Sequence, residues 1–130
     1  MNKEIKNFFD WTKKKIRLHF KPLAVYFHNR EVWWASLGVN IGYEQDGKNE
    51  EFERPILILK KFNKDMLWIL PMTSQNRSNE FYHQVEYQNQ KYAVILSQLR
   101  LISSKRLLRK IRTISKGEFK EIKEKIKSFL

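Results

Sequence analysis

Between Glu31 and Ser97 the apolar residues fall into five short runs, each stopped by a polar turn, and this spacing leaves few folds open to the chain. Glu31–Leu37 (EVWWASL), Arg54–Phe62 (RPILILKKF), Met66–Met72 (MLWILPM), Glu80–Tyr87 and Lys91–Ser97 are strand-sized and rich in strand formers. Asn63-Lys64-Asp65 predicts a hairpin between the second and third runs, and Gln88-Asn89-Gln90 one between the fourth and fifth. Pro55 suits a strand only near its start. Between the first two runs lies a long polar connection, GVNIGYEQDGKNEEFE, punctuated by Gly38, Gly42 and Gly47, and Thr73–Asn79 is a second polar loop. The expectation is a mainly β (α+β) fold, built as a small antiparallel barrel or a strongly curved sheet.

Helical periodicity appears at the two ends. Taking 100° per residue, Ile5, Phe8, Phe9, Ile16 and Phe20 share an arc of roughly 120°, while Lys3, Lys6, Lys13, Lys14 and Arg17 gather on another side. Pro22 marks the stop. Residues 1–30 are therefore expected to form an amphipathic basic helix and its connection, ahead of a domain spanning 31–130. The apolar arc is expected to dock on the barrel or across a dimer, leaving Trp11 and Leu18 for a second contact. In the last third, Ser103 or Ser104 can cap a short helix through Arg109. Ser115 and Glu118 have capping-box spacing, and Phe119, Ile122, Ile126, Phe129 and Leu130 then lie within about 100° of one another. Glu121 and Lys125 form an i,i+4 pair on the exposed side.

The chain has the size of one domain, and its charge is the informative part of its composition. Twenty-six Lys and Arg against fourteen acids give +12, distributed as +6 over residues 1–30, −2 over 31–70 and +8 over 71–130. Such a surplus attracts polyanions, with nucleic acid the expected partner. The longest apolar stretches, around Ile56–Leu59 and Leu67–Met72, fall short of the roughly 20 residues of a membrane helix, and MNKEIKNFFDW has no secretory h-region. Cysteine is absent, which removes disulfides and thiolate metal sites and fits a reducing, cytoplasmic setting. His19, His28 and His83 lack ligand spacing, and no nucleophile elbow, Walker loop or dinucleotide fingerprint occurs. No metal and no cofactor is expected. Glu50, Glu51 and Glu53 read as a solvated acidic run.

What remains is a set of polar residues at strand ends. Arg54 precedes one strand, Thr73 and Ser74 follow another, and Gln98 and Arg100 follow a third, leading into Lys105, Arg106, Arg109, Lys110 and Arg112. Glu44, Gln45 and Lys48 lie in the loop ahead of Arg54. A fixed guanidinium beside hydroxyl groups suits a phosphate, whose oxygens accept both arms of the fork. A salt bridge from Arg54 to Glu51 or Glu53 explains that arginine equally well.

From Glu31 onward the chain resembles the MazF/PemK family of toxin endoribonucleases. The matching stretches are EVWWASLGVNIGYEQDGK, RPILIL, LPMTS, AVILSQLRLISSKRLLRKI and the closing helix, in that order and spacing. The first thirty residues match nothing in the family core, and the loop at Asn49–Glu53 is longer and more acidic than usual. The resemblance implies an SH3-like β-barrel of the MazF/PemK/CcdB type with a C-terminal helix, a homodimer, and metal-independent cutting of single-stranded RNA. It also implies a 2′,3′-cyclic phosphate and a 5′-hydroxyl as products, and a cognate antitoxin as partner. Arg54 and Thr73 match the family's catalytic arginine and threonine, and Glu44, Gln45, Ser74 and Gln98 match positions near its site, carried over as RNA contacts; Lys48 and Arg100 beside them are further candidate RNA contacts. Two other readings stay open: a non-catalytic nucleic-acid-binding barrel, and a CcdB-like gyrase inhibitor.

Overall fold

The computed structural model describes residues 2–22, 25–42, 44–48, 51–75 and 77–130. Seven antiparallel strands curl into a half-barrel: β1 (Glu31–Ser36), β2 (Glu53–Lys61), β3 (Met66–Thr73), β4 (Tyr82–Tyr87), β5 (Gln90–Ile95), β6 (Arg100–Ser103) and β7 (Leu107–Thr113). Helix α1 (Lys3–His19) precedes the sheet and α2 (Lys116–Lys127) closes the chain. The strand order is β4-β5-β3-β2-β1-β7, with β6 also pairing β3.

The near-continuous apolar runs of β2 and β3 are explained by burial on both faces. Ile56, Ile58, Leu67 and Ile69 join Trp33, Leu37 and Leu107 in one core. Leu57, Leu70 and Met72 point the other way, into a second core with Val32, Val85, Val94 and the α2 residues Phe119 and Ile122. One edge of β3 is shared: Met66–Ile69 pair with β6, and Met72 and Thr73 pair with β5. Pro71, which has no N–H to give a ladder, sits at that change of partner. The β4–β5 turn has φ of 50° at Gln88 and 61° at Asn89, the left-handed pair that a two-residue hairpin of matching twist needs.

Three expectations are corrected, the last of them in α2. The stretch read as a short helix through Arg109 is instead β6, one 3₁₀ turn at Ser104–Arg106, and β7. Ser103 does cap, accepting from Lys105 N at 3.2 Å, but the chain leaves the turn at once because buried Leu107 opens a strand along β1. The docking of α1 is inverted. Trp11, 7% exposed, and Leu18 are buried against Phe52, while Ile5, Phe8, Phe9, Ile16 and Phe20 face solvent, Phe20 at 76%. The apolar arc is the wider surface, but the barrel offers a site shaped for an indole. A Cβ on Gly38 would overlap the Trp11 ring, so only glycine, here at φ 79°, admits it. Lys14 Nζ meets Glu51 at 2.6 Å, and Lys105 Nζ donates to His19 O at 2.5 Å, securing the second half of the helix.

α2 follows its sequence signals. Ser115 Oγ accepts from Glu118 N at 3.2 Å, Phe119 and Ile122 are buried, and Lys125 lies 3.9 Å from Glu121. Phe129 and Leu130, expected on the packed face, are exposed.

Candidate active site

The loop between β1 and β2 is held by its own polar groups. Phe52 O accepts from Leu37 N (2.9 Å) and Gly38 N (3.2 Å), and Lys48 and Glu53 exchange both backbone bonds. Asn40 N donates to Asp46 Oδ1 at 2.5 Å, and its side-chain amide donates to Gln45 O at 2.8 Å. Phe52 itself has φ 51°, a left-handed conformation that a bulky residue adopts only when its surroundings enforce it. Its ring lies against Trp11, centroids 5.5 Å apart, so α1 is part of what enforces it.

Arg54 stands where this loop enters β2. Its Nε donates to Asp46 O at 2.6 Å and its Nη1 to Met72 O at 3.1 Å, which uses two of the five guanidinium donors. The carboxylates proposed from sequence as its ion-pair partners are engaged elsewhere: Glu53 receives both arms of Arg109 at 2.9 and 3.1 Å, and Glu51 receives Lys14. The β2–β3 ladder reaches Ile56 opposite Pro71, and beyond it Arg54 holds the carbonyl of Met72, the residue before Thr73. Thr73 is buried at the end of β3, its Oγ accepting from Gln75 N at 3.2 Å.

Gln98, in the 3₁₀ turn Leu96–Gln98 after β5, accepts from Gln45 N through Oε1 at 2.8 Å and so ties the loop to the sheet. Glu44 closes a local turn by accepting from Ile41 N at 3.0 Å, and its charge acts on Arg100. Arg54, Glu44, Gln45, Gln98 and Arg100 are thus gathered around one loop. Ser74 and Lys48 are exposed, Ser74 just past Thr73 and Lys48 on the loop's return.

A third arginine, Arg106, read from sequence only as part of the basic run after Arg100, completes the arrangement. Arg106 Nη1 donates to Ser36 O at 3.2 Å, and its guanidinium lies 5.5 Å from the Trp11 ring. Burial holds all three guanidinium groups below their ordinary pKa; Asp46 opposes this at Arg54, Glu44 opposes it at Arg100, and Arg100 adds to it by repulsion at Arg106. They remain cations at neutral pH, now partly stripped of water, which strengthens their pull on an anion. The rest of the basic run has other tasks. Lys110 meets Glu31 at 3.2 Å, and Arg112 covers the Tyr87 ring at 4.6 Å.

The histidines lie apart from this cluster. His28 meets Glu31 at 3.3 Å, His19 packs edge-on against Phe20, and buried His83 joins Glu118 and Lys125 between β4 and α2. Among the described residues no cluster of three His, Cys, Asp or Glu could hold a metal, and no helix is long and apolar enough to cross a membrane.

Residues 28–130 match the family described as PemK-like, MazF-like toxin of type II toxin–antitoxin systems. No curated protein matches the sequence. Solved structures share the fold at low identity. A crystal structure of MazF from Deinococcus radiodurans is 18% identical, covering 81% of this chain and 97% of its own, with a TM-score of 0.66. The Mycobacterium tuberculosis toxin MazF-mt6 is 20% identical over 76% and 94%, with a TM-score of 0.59. An endoribonuclease from a Mycobacterial species, solved with its cognate antitoxin, is 11% identical over 79% and 93%, with a TM-score of 0.58.

Proposed function

Because the chain belongs to the PemK-like, MazF-like toxin family of type II toxin–antitoxin systems, we propose that it is a sequence-specific, metal-independent endoribonuclease acting on single-stranded RNA in the cytoplasm. The observation that carries this reading is Arg54: a guanidinium anchored by the backbone carbonyls of Asp46 and Met72, with donors to spare, at the end of the strand that carries Thr73. Residues 31–130 are the toxin domain in this reading, and residues 1–30 an accessory element on it.

The RNA supplies its own nucleophile. Its 2′-oxygen attacks phosphorus and loses its proton, the bond from phosphorus to the 5′-oxygen breaks, and that oxygen takes up a proton. The products are a 2′,3′-cyclic phosphate and a 5′-hydroxyl. The protein must splay the strand into line and stabilise charge on the phosphorane. Arg54 and Thr73 donate to the phosphoryl oxygens. Arg100 is the second cation, and Glu44, Gln45, Lys48, Ser74 and Gln98 contact the nucleotides around the cut. Two groups at the site can exchange protons with the reacting oxygens: the Glu44 carboxylate, and Arg54, whose burial shifts its pKa in the direction that work requires.

An antitoxin with an acidic, partly disordered segment would fold across the same cations. For the homodimer the sheet offers a face. Trp68 lies opposite Leu101 and edge-on to Phe62 at 4.9 Å, all three exposed, and β6 has β3 as its paired neighbour.

The test is cleavage of a mixed-sequence RNA in excess EDTA with mapping of both ends. Cutting at one short sequence with cyclic phosphate ends is expected; activity that requires added magnesium would refute the scheme. Intact RNA together with gyrase inhibition would identify the CcdB-like alternative.

A further inference from the structure

A groove of about 1150 Å³ runs between α1 and the β1–β2 loop. One of its walls, α1, lies outside the stretch that matches the family, and the other lies within it. The groove is also continuous with the candidate active site, since Asp46 and Gly47 line it and the Asp46 carbonyl holds Arg54.

Four cations line this groove: Lys3, Lys13 and Arg17 from the helix and Lys48 from the loop. Among the described residues none of these four side chains has an ion-pair or hydrogen-bond partner. The groove's acids are less available. Asp10 is paired with Lys6 at 3.2 Å and Asp46 accepts from Asn40 N; Glu4, at the first turn of the helix, is the exception. Lys13 and Arg17 stand four residues apart, so they line one side of the helix as neighbours. Phe8 and Ile41, both exposed, add apolar surface to the same groove. Cations along a channel with an exposed aromatic ring are what an extended single strand requires, the charges following its phosphates and the ring receiving a base. The groove is also preformed. Trp11 on Gly38 and Phe52, with the Lys14–Glu51 pair, fixes α1 to the loop before any ligand arrives.

We propose that this groove is a second RNA-binding site, holding the sugar–phosphate strand and a stacked base several nucleotides away from the scissile bond. The proposal rests on the single-stranded RNA reading of the active site and extends it: α1 lengthens the RNA that the protein grips.

The test uses the full chain and labelled 2′-O-methyl oligonucleotides, which carry no 2′-hydroxyl nucleophile. They share the cleavage sequence and grow by two nucleotides at a time on either side. Binding is followed by fluorescence anisotropy at two salt concentrations for the wild type, for Lys13→Ala/Arg17→Ala, and for Lys116→Ala/Lys120→Ala, which removes the same charge from exposed positions on α2. The wild type should gain affinity as the probe lengthens. The α1 double variant should lose that gain, about tenfold on the longest probe, with the salt slope smaller by roughly 0.7 for each phosphate contact removed. The α2 double variant should keep the length-dependent gain. Phe8→Ala should weaken the longest probe without changing the salt slope. Equal length dependence in the wild type and the α1 variant overturns the proposal, as does equal loss in both double variants. Cleavage of unmodified RNA by the wild type, measured alongside, reports on the nuclease reading separately.

Discussion

Arg54 and Thr73 are asked for the same chemistry but are held differently, and their substitution should separate accordingly. Removing one preorganised donor to a transition state typically lowers rate by about 10²–10³. Thr73→Ala should show that loss with a small change in melting temperature, since its hydroxyl accepts only from the nearby Gln75 N. Arg54→Ala should lose activity and also lower the melting temperature, because it releases the carbonyls of Asp46 and Met72 and with them the loop. Cleavage rates beside thermal melts distinguish the two. Away from the site, Glu31 is a buried carboxylate. Burial alone would raise its pKa, but hydrogen bonds from Trp33, the His28 amide and Lys110 together hold it below its ordinary 4.5. It therefore stabilises the fold above that value, and this contribution is lost as pH falls through its lower folded-state pKa. Glu31→Gln should flatten that part of the acid-unfolding curve, read by urea titrations between about pH 3 and 6. The strand-end position of Arg54 and Thr73 was visible in the residues, and the family resemblance gave it meaning. Arg106 was not visible as a site residue, because it reaches Arg100 only through a 3₁₀ turn between two strands, and RLLRKI satisfies a helical pattern as well as a strand one.

The elements most legible in the sequence were those whose pattern and burial agree. β2 and β3 are buried on both faces, so their unbroken apolar runs had one reading; α2 carries its cap, its face and its i,i+4 pair in twelve residues. α1 was legible as a helix but not in its orientation. Its broad apolar arc outweighs Trp11 and Leu18 on any periodicity argument, and only the shape of the receiving surface reverses the choice. Substitution should expose this. Replacing Ile5, Phe9, Ile16 and Phe20 by Ser removes solvent-facing side chains and should leave the docking of α1 intact. Trp11→Ala removes a buried indole, a class of change that typically costs about 3–5 kcal/mol, and should free the helix while the sheet stays folded. Hydrogen exchange of the α1 amides checks both; protection that survives Trp11→Ala would contradict the packing described.

Across the whole molecule, the surplus of positive charge is only partly available to a polyanion. Arg109, Lys110 and Arg112 are committed to Glu53, Glu31 and Tyr87, whereas Lys3, Lys13, Arg17 and Lys48 line the groove between α1 and the loop. Composition revealed the attraction but could not reveal its location, because paired and unpaired cations count alike. Assembly is testable at this scale too: if the proposed homodimer forms through this face, Trp68→Glu with Leu101→Glu should leave a folded monomer in sedimentation velocity where the wild type sediments as a dimer, since both side chains are exposed in the single chain. Deleting residues 2–21 would be a less selective experiment, since it uncovers Phe52 and Val39. One further consequence follows from Trp11, whose indole touches the loop's glycine, its left-handed phenylalanine and a guanidinium of the site. Helix docking and loop order are then a single equilibrium with two handles. Thermodynamic reciprocity requires that whatever steadies the loop from the RNA side tightens the helix by the same factor, and that a ligand prising the helix away slackens the loop without approaching Arg54.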